Sequence, residues 1–365
     1  MSDDLRWMQV ALTLGRRGLG QSWPNPAVGC VLVAPNGRVV GRGRTQSGGR
    51  PHAEVVALAQ AGAAARGATA YVTLEPCAHH GQTGPCCDAL IAAGVGRVVT
   101  ALEDPDPRVA GQGHSRLRAA GVAVTEGVGR AAAREDQLGF LNRVTLGRPM
   151  VTLKLALTLD GRIATARGES QWITGAEARR YGHALRARHD AVLIGAGTAR
   201  TDDPTLTVRG VGVVRQPVRV VASRDLDVPI PSRLSQSVTA DAPVWLCHGG
   251  EAPAERIARA RAAGLKCVEV AAEAEGVSVE SLLRTLAQRG LTRVYCEGGG
   301  AFAAGLLRAG CVDRLAVFSA GCVIGADGLP GLGDLGVNLL ADAPRFRRLG
   351  VRQVGGDVLT EWART

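Results

Sequence analysis

Pro51-His52-Ala53-Glu54 and, further along, Thr73-Leu74-Glu75-Pro76-Cys77 with Cys86 are the stretches that decide the fold of the first part of this chain. His52 and Glu54 open a predicted helix, and Cys77 follows a predicted strand that leads to a second helix at Cys86. Zinc prefers a tetrahedron of nitrogen and thiolate ligands, and a catalytic zinc leaves one position for water. His52, Cys77 and Cys86 therefore form a predicted metal centre.

Glu54 lies two residues from His52, close to the predicted metal without being needed as a ligand. A carboxylate there can take a proton from water and pass it to a leaving amine. The order His-x-Glu, then Pro-Cys, then a second Cys is the signature of zinc deaminases. Cys87 adjoins Cys86, but neighbouring side chains leave a helix about 100° apart, so only one of the two faces the metal. The spacing favours Cys86, with Cys87 as a core thiol.

Eight residues separate the two cysteines, whereas deaminases of nucleic acids and simple nucleosides usually have two. This polar loop beside the metal is suited to holding a substrate. His79 and His80 either contact that substrate or are solvated loop histidines.

Composition narrows the class of protein further. The 365 residues suggest about two domains, and a hydrophobic content of 46% lets each bury a core. The acidic N-terminus, the absence of a long apolar run and nine scattered cysteines indicate a cytoplasmic protein with free thiols and no membrane association. A net charge of +10 without a basic run, together with only 3% aromatic residues, favours small phosphorylated ligands over nucleic acid.

Helices and strands alternate along the chain, which predicts an α/β fold. The turn Gly147-Arg148-Pro149 separates a predicted first domain, 1–146, from a second, 147–365. Predicted helices are 5–17, 52–60, 86–93, 117–120, 131–144, 176–187, 281–288 and 301–308. Predicted strands are 28–33, 38–41, 70–74, 95–102, 122–125, 151–157, 191–194, 218–222, 244–247, 267–270, 293–297 and 314–319. Thr174 is the predicted cap of helix 176–187, and Gly195 to Thr198 is a predicted glycine turn.

Motifs of the first domain resemble the bifunctional riboflavin-biosynthesis deaminase–reductase family. They are Pro24-Asn25-Pro26-x-Val28-Gly29, Pro51-His52-Ala53-Glu54, Thr73-Leu74-Glu75-Pro76-Cys77-x-His79-x-Gly81-x-Thr83 and Asp104-Pro105-x-Pro107. The resemblance implies a cytidine-deaminase-like three-layer domain that uses Zn²⁺ to deaminate 2,5-diamino-6-ribosylamino-4(3H)-pyrimidinone 5′-phosphate. It also implies that Asn25 helps to hold the pyrimidine or the ribose.

The first domain departs from the family at four positions. They are Thr45 (usually His), Gln82 (usually basic), Gly84 (usually Pro) and Asp106 (usually Asn). The basic residue is expected to meet the substrate phosphate, and its loss removes a charge-assisted contact typically worth about 1.5–3 kcal/mol. Either Arg44 or Arg50 compensates, or the deaminase activity is weaker.

In the second domain, Glu297-Gly298-Gly299-Gly300 ends a predicted strand and starts a helix. Glycines allow close approach to a ligand, and a helix N-terminus suits a dinucleotide phosphate, although a plain tight turn has the same pattern. The Rossmann motif G-x-G-x-x-G is not present in clear form, which disfavours that fold.

Other motifs of the second domain resemble the reductase half of the same family. They are Lys154-x-Ala156-x-Thr158-Leu159-Asp160-Gly161, Ser170-x-Trp172-Ile173-Thr174, Gly195-x-Gly197-Thr198, Asp202-Asp203-Pro204 and Glu297-Gly298-Gly299. The resemblance implies a dihydrofolate-reductase-like fold that uses NADPH to reduce the ribosyl chain to ribityl. It implies cofactor contacts at Ala156, Trp172, Thr198, Asp202, Gly299 and Gly300. It implies substrate contacts at Ser170, Arg186, Leu206, Arg209 and Glu297.

Several of these positions have a second interpretation. Arg186 and Arg209 suit a ribose phosphate, since guanidinium binds phosphate through two hydrogen bonds, but a helix arginine is more often an exposed surface charge. Trp172 is either a cofactor neighbour or a core aromatic residue. Ser223 replaces the family's usual Asp, which changes how the cofactor ribose is held.

Taken together, the sequence predicts a cytoplasmic homodimer that first deaminates a small phosphorylated pyrimidine and then reduces its ribosyl chain. Lys154 or Asp202 would supply the proton for the second reaction, and the sequence does not choose between them. Three alternatives remain open: a divergent deaminase of another free base or nucleotide, a nucleic-acid base editor, and a scaffold without deaminase activity.

Overall fold

The computed structural model describes residues 3–212, 215–274 and 276–365. The chain forms two units, Met1–Gly147 and Arg148–Thr365, so the division falls one residue after the position expected from the sequence. All nine cysteines are free thiols. Among the described residues, no helix combines the length and the apolar character needed to cross a membrane.

The N-terminal unit alternates helices and strands. Its helices are α1 (Asp3–Arg16), α2 (Ala53–Ala61), α3 (Cys86–Ala92), α4 (Gln112–Ala119) and α5 (Arg130–Leu146). Its strands are β1 (Gly29–Val33), β2 (Val39–Arg44), β3 (Thr69–Val72), β4 (Arg97–Thr100) and β5 (Ala123–Thr125). They form one sheet in the order β2-β1-β3-β4-β5, in which β1 is antiparallel to both neighbours and β3, β4 and β5 are parallel.

Two glycines of β2 allow α2 to lie directly against the sheet. A Cβ on Gly43 would come within 2.2 Å of the Ala53 carbonyl oxygen, and one on Gly41 within 2.2 Å of the Ala57 carbonyl oxygen. Only residues without a side chain permit this approach. The first turn of α2 is thereby fixed against β2, and His52 and Glu54 are fixed with it.

The C-terminal unit has a larger sheet. Its strands are β6 (Met150–Leu157), β7 (Arg162–Ala164), β8 (Ala191–Gly195), β9 (Val218–Ala222), β10 (Val244–His248), β11 (Lys266–Glu269), β12 (Ala272–Glu273), β13 (Gly276–Val277), β14 (Arg293–Cys296), β15 (Arg314–Ser319), β16 (Leu329–Pro330), β17 (Phe346–Val354) and β18 (Asp357–Arg364). Its helices are α6 (Ala176–Arg186), α7 (Ala196–Asp202), α8 (Arg233–Gln236), α9 (Ala254–Ala262), α10 (Val279–Gln288) and α11 (Gly300–Arg308).

Nine of these strands form one sheet in the order β11-β10-β9-β8-β14-β6-β15-β18-β17. The pairs from β11 to β15 are parallel, and β18 and β17 continue the sheet as an antiparallel hairpin. Every residue of β8, β9 and β10 is buried. Strands buried on both faces explain the continuous apolar runs that the sequence shows there.

Several elements differ from the sequence-based predictions, among them a helix cap, a helix start and a C-terminal hairpin. Gly175, not Thr174, is the N-cap of α6, so the predicted cap is wrong. The predicted glycine turn at Gly195 to Thr198 is instead the start of α7, because Gly197 reduces helix propensity without preventing a helix. The hairpin of β17 and β18 was not predicted, since arginines and Gly350 interrupt the apolar alternation of β17.

Candidate active sites

Three predicted metal ligands meet in the N-terminal unit. His52 precedes α2, Cys86 is the first residue of α3, and Cys77 lies in the loop after β3. His52 Nδ1 lies 3.3 Å from Cys86 Sγ and 3.7 Å from Cys77 Sγ, and the three ligand atoms all lie within 4.8 Å of one another. Ligand atoms around a tetrahedral zinc, with bonds of about 2.0–2.3 Å, stand about 3.4–3.8 Å apart. The donor set and its spacing fit one zinc ion.

The surroundings of the cysteines favour a thiolate at Cys77. The backbone N–H of Cys86 donates to Cys77 Sγ over 3.3 Å. The Cys86 thiol lowers the pKa of Cys77, and the bond with His52 adds to this against the opposing effect of burial. Thiolate is the form that binds zinc. Cys87 is fully buried in the core of the unit, which confirms the prediction that it is a core thiol.

Glu54 lies beside the three ligands in the first turn of α2 and is only 4% exposed. Burial raises its pKa to about 7, with His52 acting in the opposite direction. A carboxyl group that titrates near neutrality both accepts and releases a proton readily. Its position and its pKa suit the proton transfers predicted for it.

Asn25 contacts the ring of His52 on the side away from the cysteines. Its amide nitrogen lies 3.2 Å from His52 Nε2 and donates to the Gly49 carbonyl oxygen over 2.9 Å. A metal on Nδ1 leaves the ring proton of His52 on Nε2, and an amide nitrogen cannot accept it, so Asn25 contacts this edge of the ring without orienting it through a hydrogen bond. Asn25 also lines a small cavity of about 330 Å³. The structure therefore brings this predicted substrate contact to the metal centre.

The departures from the family pattern occupy different environments. Thr45 is buried, and its hydroxyl accepts a hydrogen bond from the Val28 N–H over 3.0 Å, so it supports the backbone. Gln82 is exposed in the loop between the cysteines. In the same loop His80 is exposed, whereas His79 Nδ1 is buried and lacks a hydrogen-bond partner within the described residues.

Arg50 is the arginine that reaches the loop between the cysteines. Its Nη1 donates to Thr83 Oγ1 over 2.6 Å, and a Cβ on Gly81 would lie 3.2 Å from its Nη2. The pKa of His52 is raised, chiefly by its hydrogen bond with Cys77, and Arg50 opposes that rise, so its charge acts on the metal centre. Arg44 instead donates to the neighbouring backbone.

A cleft of about 1490 Å³ opens in the C-terminal unit. Seven predicted contacts line it: Ala156, Ser170, Thr198, Asp202, Glu297, Gly299 and Gly300. They come from β6, α7, the segment after β14 and the loop that follows β7. A cleft of this size accommodates a dinucleotide and a second ligand.

The glycines Gly298 to Gly300 lie beside this cleft and bring the N-termini of α7 and α11 together. Gly299 is the N-cap of α11, and its N–H donates to Thr198 Oγ1 in α7 over 2.9 Å. A Cβ on Gly300 would lie 3.1 Å from the Pro330 carbonyl oxygen, so the backbone segments pack closely here. The first N–H groups of α11 and its dipole favour an anion such as a dinucleotide phosphate.

Glu297, Arg186 and Lys154 form a half-buried charged group beside the cleft. Arg186 contacts both carboxylate oxygens of Glu297, with Nη2 donating to Oε2 over 3.0 Å, and its Nη1 donates to the Thr207 carbonyl oxygen. Burial alone would raise the pKa of Glu297, but Arg186 and Lys154 keep it below its usual value. Burial lowers the pKa of Lys154 and raises that of Asp202. The guanidinium of Arg186 thus holds Glu297 in place. This contact differs from the predicted one, in which the guanidinium would be open to solvent and would bind the ribose phosphate.

Four predicted contacts of the C-terminal unit lie outside the lining of the cleft, namely Arg186, which bonds Glu297, and Trp172, Leu206 and Arg209. Trp172 is 67% exposed, with the Arg179 guanidinium 4.7 Å above its ring, so it is not a core residue. Leu206 is buried in a hydrophobic cluster of the unit. Arg209 has an exposed side chain, and its N–H donates to His183 Nδ1 over 3.3 Å. Their roles stay predictions.

The cleft also contains residues that the motifs did not indicate. They are Arg200, Arg224 and Arg308. Ser223 lies beside them; it is 4% exposed, and its hydroxyl has no hydrogen-bond partner in the part of the chain that the structure describes. Single arginines carry no recognisable spacing in a chain rich in arginine, so only the folded structure groups them.

Comparison with known proteins assigns both units. Residues 1–102 match the cytidine and deoxycytidylate deaminase zinc-binding region, and residues 149–360 match the RibD C-terminal domain. The chain is 42% identical over 373 residues to the riboflavin biosynthesis protein RibD of Escherichia coli, covering 97% of this chain and 98% of that protein. It is 40% identical over 356 residues to RibD of Aquifex aeolicus, covering 98% and 97% respectively.

Solved structures agree over the full length. Acinetobacter baumannii RibD superimposes with a TM-score of 0.88 at 37% identity, covering 99% of each chain. A diaminohydroxyphosphoribosylaminopyrimidine deaminase/5-amino-6-(5-phosphoribosylamino)uracil reductase of Thermotoga maritima superimposes with a TM-score of 0.85 at 34% identity, again covering 99% of each chain. Fold and site together define a chain in which a cytidine-deaminase-like zinc domain precedes a reductase domain. The chain belongs to the RibD family of riboflavin biosynthesis proteins.

Proposed function

We propose that the chain catalyses two successive reactions. Its N-terminal unit hydrolytically deaminates 2,5-diamino-6-ribosylamino-4(3H)-pyrimidinone 5′-phosphate, and its C-terminal unit reduces the ribosyl chain of the product to ribityl with NADPH. The observation that carries the proposal is the convergence of His52, Cys77 and Cys86 at zinc-binding distances beside the buried Glu54. The cleft of the second unit supplies room for the cofactor and the intermediate.

Deamination replaces the C–NH₂ bond of the pyrimidine with C=O and releases ammonia. His52, Cys77 and Cys86 would hold a zinc ion, which would lower the pKa of a bound water to near neutrality. Glu54, buried beside the three ligands in the first turn of α2, is placed to take a proton from that water and to deliver it to the departing amine. Asn25, beside the His52 ring, would help to hold the pyrimidine or the ribose.

Arg50 would bind the substrate phosphate in place of the missing cation at position 82. It reaches the loop between the cysteines through Thr83, and no carboxylate within the described residues forms an ion pair with it. A guanidinium without a carboxylate partner at the entrance to a metal centre is free to bind a phosphate through two hydrogen bonds. The departure at Gln82 is therefore offset by Arg50, and Arg44 plays no part.

Reduction adds a hydride at C1′ of the ribosyl group and a proton at the opened ring oxygen. NADPH would supply the hydride, and the protein would hold the cofactor and the substrate in position. The turn at Gly299 and the N-terminus of α11 would hold a cofactor phosphate, while Glu297, oriented by Arg186, would face the substrate. Lys154 and Asp202 both line the cleft, so each is placed to deliver the proton to the opened ring oxygen.

The test is to incubate the zinc-loaded protein with the diaminopyrimidine ribosyl phosphate, with and without NADPH. We expect ammonia release in both cases and NADPH oxidation only after deamination. A protein that carries one zinc ion and releases no ammonia would contradict the first reaction. We also propose that the active protein is a cytoplasmic homodimer that acts without nucleic acid. Sedimentation of the active protein tests the dimer, and cell fractionation tests the location.

A further inference from the structure

Three ligand-type side chains meet in the N-terminal unit away from the zinc centre. Glu103 lies just after β4, His114 is in α4, and Glu126 follows β5. Their ligand atoms all lie within 4.8 Å of one another. Because β4 and β5 are parallel, the segments after their carboxyl ends meet at one edge of the sheet, where ligands commonly bind.

His114 presents an unpartnered nitrogen to this cluster. The side chain is 2% exposed, and its Nε2 lies 3.0 Å from the Thr100 hydroxyl oxygen. Its Nδ1 has no hydrogen-bond partner among the described residues, although Glu126 Oε2 is 3.5 Å away. Buried polar atoms are almost always hydrogen-bonded, so an orphaned imidazole nitrogen is a specific indication of a ligand-binding role.

Neighbouring groups do not satisfy this nitrogen. Glu75 Oε1 lies 3.8 Å from His114 Nδ1, beyond hydrogen-bond distance. Its two oxygens accept four backbone N–H groups, those of Asp104, Gly111, Gly113 and His114. Arg118 donates to Glu126 Oε1 over 2.5 Å, which keeps this carboxylate ionised and leaves Oε2 directed at the histidine.

We propose that His114 Nδ1, Glu126 and Glu103 form a second metal site that binds a divalent transition-metal ion such as Zn²⁺. One imidazole and two carboxylates form a ligand set that zinc accepts, with water completing the coordination. The 3.5 Å between His114 Nδ1 and Glu126 Oε2 matches the spacing of about 3.4 Å between neighbouring ligands on zinc. In the metal-bound form the ring proton of His114 would be on Nε2 and would be donated to the Thr100 hydroxyl oxygen, which leaves the lone pair of Nδ1 for the metal.

The site would connect the ends of β4 and β5 to α4 and would not take part in either reaction. The exposed carboxylates of Glu103 and Glu126 give the ion access from solvent. Arg118 and Arg130 both act on Glu126, so affinity should be weaker than that of the site with two thiolates. The inference does not depend on the proposed function.

The experiment is equilibrium dialysis of the full chain against Zn²⁺, with bound metal measured by elemental analysis. We expect two equivalents in the unaltered chain, one in Cys77→Ser and one in His114→Gln. Glu103→Gln, whose exposed side chain leaves folding intact, should weaken the second site by about 10–100-fold. Glu255→Gln, an exposed glutamate of α9, is the matched control and should keep both equivalents.

Cobalt separates the two sites spectroscopically. Co²⁺ added to the chain loaded with a single equivalent of Zn²⁺, which fills the tighter cysteine site, should bind one further equivalent without the thiolate-to-cobalt absorption that the cysteine site would produce. Uptake of a single equivalent at saturating metal, or a second equivalent unaffected by Glu103→Gln and Glu126→Gln, would overturn the proposal. In the first case the free nitrogen of His114 would be protonated and paired with Glu126 instead.

Discussion

At the scale of single residues, Glu54 gives the sharpest prediction for the first reaction. Glu54→Gln preserves the shape of the side chain and removes its ability to carry a proton. We expect the zinc ion held by His52, Cys77 and Cys86 to remain bound while ammonia release falls about 10²–10⁴-fold, the usual contribution of a positioned proton carrier. Elemental analysis measures the bound metal, and initial rates of ammonia release measure the activity. Wild-type turnover in this variant would mean that another group moves the proton.

Arg50 and Gln82 form a second test at this scale. Arg50→Ala should raise the KM for the phosphorylated substrate by about 10–100-fold and leave kcat nearly unchanged, because a charge-assisted contact is lost. Adding Gln82→Arg to that variant should restore much of the affinity. The dephosphorylated substrate is the control, since its KM should not respond to either change. Equal effects on both substrates would exclude a phosphate contact.

His189 predicts how stability depends on pH. It is buried, and it bonds the Leu185 carbonyl oxygen and the Thr152 hydroxyl. Burial lowers its pKa from 6.5 to about 3. The unfolded chain therefore binds a proton at higher pH than the folded chain, so this contribution is complete above about pH 6.5 and is lost as pH falls towards 3. In denaturant titrations, His189→Gln should show a smaller loss of unfolding free energy between pH 6.5 and 4 than the unaltered chain.

At the scale of elements, the contact between α2 and β2 positions the metal ligand. Gly43→Ala would place a Cβ 2.2 Å from the Ala53 carbonyl oxygen and force the first turn of α2 to move. We expect weaker zinc binding, measured by competition with a chelator, and a lower Tm. Gly182→Ala is the control, because nothing lies within 4 Å of the position that its new methyl group would take, and alanine favours a helix by about 0.5–1 kcal/mol. Unchanged zinc affinity in Gly43→Ala would show that the ligand is positioned by other contacts.

Features that depend on local pattern are the ones that the sequence predicts best. His52 and Cys86 stand at the starts of helices, which follow from periodicity and turn residues, and Cys77 lies in the loop after β3. The contact between Arg50 and Thr83 joins positions 33 residues apart, and the pair of Arg186 with Glu297 spans 111 residues. The local sequence pattern predicts neither of these two contacts, because both depend on the order of the strands in a sheet. The same limit explains why Arg200, Arg224 and Arg308 of the cleft were not predicted.

At the scale of the whole molecule, each unit contains its own site, so the two activities should separate. Cys77→Ser should abolish ammonia release but leave NADPH-dependent reduction of the deaminated intermediate intact. Glu297→Gln should do the reverse, because Arg186 loses its charged partner at the cleft. A mixture of the two variants should carry out both reactions in succession. Ammonia release measures the first reaction, and the fall in NADPH absorbance measures the second. Loss of both activities in either single variant would show that the units depend on one another.

Strand β17 has a consequence for the behaviour of the protein at high concentration. It is the last strand of the nine-stranded sheet, nine residues long, and its outer edge offers backbone groups to any approaching strand. Arg347, Arg348 and Arg352 are all exposed along it. Two copies meeting edge to edge would bring six positive charges together in the space of a few strands. Repulsion of this kind works against edge-to-edge self-association of the sheet.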